Sequence, residues 1–159
     1  RAMALKSDCT PAAERALQPE KHVFTSNLLV RADVFAQEGF DAGFSGWGWE
    51  DVEWAMRVSR RWPIIHIDNT ATHMGLDDAA TLARKYEQSA ANFARVAERH
   101  PDIVSTYGAY RAARLLQRLP GLKLWRPLLR AAALQDWAPA GARGFALRLY
   151  RAALYAEAV

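Results

Sequence analysis

The amino-acid sequence predicts an α/β fold with a helical C-terminal extension. Three observations predict it. Short β-rich apolar runs stand at 23–30 and 64–67 between turn residues, segments of helical periodicity follow them, and beyond Tyr107 leucines recur every three or four residues among arginines. With 159 residues, 51% of them hydrophobic and 24% charged, the chain has the proportions of one ordinary globular domain with a core of its own.

Pro11 and Pro19 among mixed polar residues make 1–21 an irregular lead-in. Val23-Phe24-Thr25-Ser26-Asn27-Leu28-Leu29-Val30 reads as a buried strand, and a short helix is expected over 32–38. Residues 39–48 hold too much glycine for regular structure and too many aromatics for a solvated linker, a mixture that commonly builds a site. From Asp51 the pattern turns helical, with Val52, Ala55, Met56 and Ser59 on one stripe, until Pro63 ends it. Short strands are expected at 64–67 and 71–74, around a turn at Asp68-Asn69. Asp77 or Asp78 then caps a long helix whose apolar face is Leu82, Tyr86, Phe93, Val96 and Ala97, and His100-Pro101 stops it. Further helices are expected at 103–119, 122–136 and 143–156, broken by Pro120-Gly121 and by 139–141.

Composition narrows the function classes. No apolar run approaches the roughly 18 residues that a membrane-spanning helix needs, because arginines interrupt each leucine-rich stretch. The single Cys9 cannot form an internal disulfide and fits a reducing compartment. The opening residues carry no extended apolar core of a secretory signal, and a start on Arg1 reads as a fragment. The net charge of +4 is uneven: 1–106 carry 12 Lys and Arg against 15 Asp and Glu, whereas 107–159 carry 9 against 2. Such a basic block attracts anionic lipid, nucleic acid or phosphorylated ligands.

The segment richest in chemistry is Gly46-Trp47-Gly48-Trp49-Glu50-Asp51, with Glu53 just beyond. Transfer of a sugar to a hydroxyl needs a base for the hydroxyl proton while the leaving group departs from the opposite face of the anomeric carbon. A carboxylate at a helix start suits that task, since backbone N–H groups and the helix dipole favour its ionised form. Glycines let a substrate approach the main chain, and indoles offer flat apolar faces to the C–H side of a sugar ring. Without further context, the same residues read as an acidic N-terminal cap and two core tryptophans.

Phe44-Ser45-Gly46-Trp47-Gly48-Trp49-Glu50-Asp51-Val52-Glu53, followed by Ala71-Thr72-His73-Met74-Gly75, resembles the C-terminal segment of galactosyltransferase-type enzymes, which carry a Gly-Trp-Gly-Gly-Glu-Asp signature in a GT-A fold. Residues 24–30 with Val34, Phe35, Gly39, Phe40 and Asp41 are similar to the strand, helix and Gly-Phe-Asp turn that precede this signature in family 2 glycosyltransferases. The likeness covers roughly residues 22–100. It implies the acceptor-side half of a GT-A type glycosyltransferase over 22–106, with 107–159 as a basic helical extension.

By position, the resemblance implies that Asp51 is the general base, Trp47 the acceptor-stacking ring, and Gly48, Trp49, Glu50 and Asn27 further acceptor contacts. His73 would be a ligand to a divalent ion, manganese in preference to magnesium because imidazole joins oxygen ligands there. His66, on the neighbouring expected strand, competes for that role. His22 and His100 read as structural histidines. The implied reaction moves a sugar, with inversion, from a nucleotide-sugar donor to a hydroxyl of a glycan or lipid-linked acceptor. Two departures stand out: Trp49 replaces a signature glycine, and no Asp-x-Asp follows an apolar strand, so the donor is expected to bind mostly through an upstream half.

In the tail, Arg111, Arg114, Arg118, Lys123, Arg126 and Arg130 alternate with leucines and Trp125. Cationic amphipathic helices of this kind lie in the headgroup region of an anionic membrane, or pack their leucines inward and leave the arginines in water. No motif for nucleic acid accompanies the charge. The expected location is cytoplasmic, peripheral at the inner face of the membrane. The alternative function is a non-catalytic carbohydrate-binding or membrane-docking module. A glycoside hydrolase is a poorer third, because its two carboxyls must flank one bond at about 5 to 9.5 Å.

Overall fold

A computed structural model describes residues 9–72 and 74–159. Among these residues there are helices and turns and no strand, which overturns the expected α/β class and with it the GT-A fold. The reason lies in the ladder. Val23, Phe24 and Leu28 do take extended dihedral angles, with φ/ψ of −84/128°, −130/122° and −132/131°. A strand exists only when a neighbour exchanges backbone hydrogen bonds with it, and local turns take those groups instead. Asn27 donates its N–H to the Phe24 carbonyl at 3.0 Å, and Asn69 donates to Ile67 at 3.0 Å. The expected strands at 23–30 and 64–67 are therefore a 3-10 turn with extended flanks and a free-running segment. The one expected at 71–74 includes His73, which lies outside the described residues, and Ala71, Thr72 and Met74 show no pairing.

The described residues form two compact units, 9–45 with 49–75 and 46–48 with 76–159. The boundary expected at 106–107 falls inside the second.

The first unit contains α1 (Ala12–Arg15), 3-10 turns at Pro19–His22 and Thr25–Asn27, α2 (Ala32–Gln37) and α3 (Glu50–Ser59). Its core is Val23, Val34, Trp54, Ala55 and Val58, with Val30, Trp62 and Ile64 packed against them. The residues that read as strand thus still bury apolar surface, but against helix α3. The Trp54 indole N–H donates to the Glu38 carbonyl. Arg15 donates to the Ile67 carbonyl at 2.7 Å and Ala12 N–H to Asp68 Oδ1 at 3.0 Å, which pins α1 to 66–68.

The second unit holds α4 (Ala79–Arg99), α5 (Pro101–Val104), α6 (Gly108–Leu116), α7 (Leu122–Ala133) and α8 (Ala140–Ala158). Asp78 caps α4, accepting the Thr81 N–H at 2.7 Å. The expected helix over 103–119 divides because Tyr107 turns extended (φ/ψ −78/135°) to bury its ring, and α6 starts afresh at Gly108. Helix α8 packs on α4, α6 and α7 and buries Leu147, Tyr150, Leu154 and Tyr155. Tyr155 stacks on Phe93 with ring centroids 4.1 Å apart and hydrogen-bonds Ser89 at 3.0 Å. Tyr150 donates to Glu87 at 2.6 Å; burial and that partner push its phenol up to about 12. Among the described residues no helix is long and apolar enough to cross a membrane.

Candidate functional site

The glycine-tryptophan segment owes its course to backbone sterics. Gly46 and Gly48 have φ of 72° and 88°, in the left-handed region where a Cβ is disfavoured. A Cβ at Gly46 would also come within 3.2 Å of Gln88 Cβ, so that position is closed twice over. Asn92, buried on α4, donates its Nδ2 to the Gly48 carbonyl at 2.9 Å. Helix α4 therefore fixes the segment through main-chain contacts, and the side chain between the glycines is left to face outward.

That side chain belongs to Trp47, a residue that is 40% exposed. Tyr86 supports it at a centroid distance of 6.2 Å, and the Lys85 ammonium sits 5.5 Å from the ring centroid. Lys85 is itself held by Asp77 at 2.6 Å. A supported, half-open indole beside a cation leaves one flat apolar face available for stacking.

In the first unit, Trp49 is the N-cap of α3 and has φ of 78°. It is the one non-glycine residue at positive φ among those described. A bulky side chain in that region costs on the order of 1–2 kcal/mol. The position thus has the backbone geometry that favours glycine and carries an indole. Its carbonyl accepts the Glu53 N–H at 2.8 Å and starts the helix.

The three acids that follow have different environments. Glu53 is fully buried and held by Arg57 Nε at 3.0 Å, while Arg57 also reaches Glu38 at 2.6 Å and the Gly39 carbonyl at 2.8 Å. Glu53 is thus a structural anchor. Glu50 keeps one carboxylate oxygen, Oε2, buried without a hydrogen-bond partner. Asp51 accepts the Val52 N–H at 2.8 Å. Burial, and then the neighbouring Glu50 charge, raise the Asp51 carboxyl above its ordinary value, against the pull of the Val52 and Thr25 N–H groups. A carboxylate made more basic in this way is suited to accept a proton.

The chain matches no protein-family model, no curated protein and no solved structure.

The remaining expected residues fall as follows. Asn27 is engaged with Asn69, donating to its carbonyl at 3.0 Å and accepting from its Nδ2 at 3.1 Å. His66 uses both ring nitrogens: Nδ1 accepts from Arg15 Nε at 3.3 Å, which leaves Nε2 to donate to the Pro19 carbonyl at 2.9 Å. His22 packs edge-on to His66, and burial followed by the Lys21 charge lowers its pKa. His100 is buried where α4 meets α5. His73 lies outside the described residues. Among those described, no group of three or more His, Cys, Asp or Glu side chains gathers, so they do not by themselves make a metal centre. Lys85 and Asn92 were not foreseen. Their signal was in the sequence, because 85, 88, 89 and 92 fall on one helical stripe interrupting the apolar face of α4.

Proposed function

We propose that this chain carries the acceptor-binding and catalytic-base residues of an inverting glycosyltransferase. The observation that carries the reading is the Asp51 carboxyl, set in the first turn of α3 and made more basic by burial and by Glu50.

In the proposed step, Asp51 takes the proton of the acceptor hydroxyl as its oxygen attacks the anomeric carbon of a nucleotide-sugar donor. The bond from that carbon to the donor's diphosphate breaks on the opposite face, and the nucleoside diphosphate leaves with the electron pair. Glu50, next to Asp51 in the first turn of α3, is proposed as a further acceptor contact. The donor is proposed to be held mainly by residues outside this sequence. No step is assigned to a metal, and manganese dependence through His73 remains a proposal of the resemblance alone.

Asp51→Asn tests the assignment. In a protein that also carries the donor-binding residues, assayed with nucleotide-sugar donors and glycan acceptors, the substitution is expected to lower kcat by roughly a hundredfold or more with little change in acceptor affinity. Undiminished turnover by the variant ends the reading. A second reading, a carbohydrate-binding module without chemistry, is favoured by the half-open Trp47 platform, which needs no base to work. Glycan binding lost in Trp47→Ala, in a protein that never consumes a nucleotide sugar, would select it.

A further inference from the structure

Helix α7 buries Ala133 and half-buries Leu122 and Leu129, yet leaves a second apolar stripe outward. Its apolar residues Leu124, Trp125 and Leu128 are 77%, 59% and 62% exposed, whereas two of its cations point back into the second unit. Arg126 pairs with Glu157 of α8, and Arg130 Nε pairs with Glu87 of α4 at 3.3 Å. A water-facing helix does the reverse, with leucines in and arginines out.

The neighbouring helix adds the complementary charge. On α6 and the turn after it, Arg111, Arg114 and Arg118 are exposed at a spacing of three and four residues, with Leu115 and Leu119 exposed beside them. The three arginines, with Ser105, Tyr110 and Leu115, line an open groove of about 400 Å³. Gly121, with φ of 72°, makes the tight turn into α7, close to the side chains of Leu124 and Trp125.

Nothing in the tail neutralises this surface. The two acids of 107–159 are Asp136 and Glu157, and both are taken, by Arg143 at 3.1 Å and by Arg126. Arg111, Arg118 and Lys123 have no carboxylate partner among the described residues, and Arg114 contacts the neutral Gln117 at 2.8 Å. Two consecutive helices that expose leucines and an indole together with unneutralised guanidiniums match one environment in particular: a bilayer surface, with apolar acyl chains below a layer of phosphates. Nucleic acid would satisfy the arginines and leave the leucines in water. A second copy of the chain would set like charges against each other.

We propose that the α6–α7 face docks on an anionic membrane surface, with Leu124, Trp125 and Leu128 inserted at the headgroup boundary and Arg111, Arg114, Arg118 and Lys123 on lipid phosphates. The proposal is independent of the transfer reading, since its test reads no sugar chemistry.

The test is flotation of the whole chain with vesicles of phosphatidylcholine containing phosphatidylglycerol, beside vesicles of phosphatidylcholine alone. Strong binding to the mixed vesicles, weakened by salt, is expected. The pair Leu124→Gln with Leu128→Gln changes only exposed positions and should weaken partition by about tenfold or more, as should Arg111→Gln with Arg114→Gln and Arg118→Gln. Absence of flotation with the anionic vesicles overturns the proposal. So does flotation that is indifferent to the leucine pair, which would leave charge alone as the attraction. A lipid-free dimer that Leu124→Gln dissociates, in a protein that does not float, overturns it in favour of self-association.

Discussion

Asn92, from the middle of α4, holds the carbonyl of Gly48 through a 2.9 Å hydrogen bond, 44 positions away along the chain. A short glycine-bracketed segment has many backbone states of its own, and this bond selects one of them. Because Asn92 is buried, replacement by Leu keeps the volume and leaves the Gly48 carbonyl without its donor. The expected cost is about 1–3 kcal/mol, read as a lower thermal midpoint. Hydrogen exchange at 46–48 should speed up in the same variant. If the amides of that segment stay as protected as in the parent, Asn92 does not fix the loop.

Trp49 allows the backbone term to be measured apart from packing. Trp49→Ala removes the indole and keeps a Cβ at φ of 78°, whereas Trp49→Gly removes both. The glycine variant should be the more stable of the two by about 1 kcal/mol, the reverse of the order expected in an ordinary helix. Urea midpoints of the two purified variants decide the matter. An alanine variant equal to or above the glycine variant would mean that position 49 is not held left-handed.

The helices were legible in the sequence and the strands were not, for one physical reason. A helix closes its hydrogen bonds within its own segment, so Asp78 at a cap, Pro63 as a stop and the Leu82–Phe93–Val96 stripe are enough to place α3 and α4 closely. A strand needs a partner that its own residues do not specify. Residues 23–30 carry β-type side chains and extended dihedrals yet bond into a 3-10 turn. The candidate site divides in the same way. Glu50 and Asp51 were placed correctly at a helix start, because capping is local. The buried Glu53–Arg57–Glu38 network, the engagement of Asn27 by Asn69 and the Asn92 bond join residues far apart in sequence, and no pattern announces such pairings. The orientation of α7 was hidden for a related reason. Its arginines read as solvated until Glu87 and Glu157, on other helices, are seen to bind them.

Asp51 gives the prediction with the clearest sign. Its carboxyl is raised from the ordinary 3.8 by burial and by Glu50, so the folded chain binds that proton more tightly than the unfolded chain does. The stabilisation from this difference is fully present below the unfolded value and is lost as pH rises through the folded one. At neutral pH the ionised group therefore opposes folding. Asp51→Asn keeps an oxygen to accept the Val52 N–H and removes the charge, and should unfold at a higher temperature than the parent near neutrality. The advantage should shrink as pH falls toward 3.8, where the parent's own carboxyl becomes neutral. The same raised pKa shifts the acid limb of any transfer activity upward from the ordinary aspartate value, since the base must be ionised to act. Thermal midpoints of parent and variant across acid to neutral pH test this directly: parallel curves would show that Asp51 titrates alike in the folded and unfolded chain, and with that its claim to be a tuned base would fall.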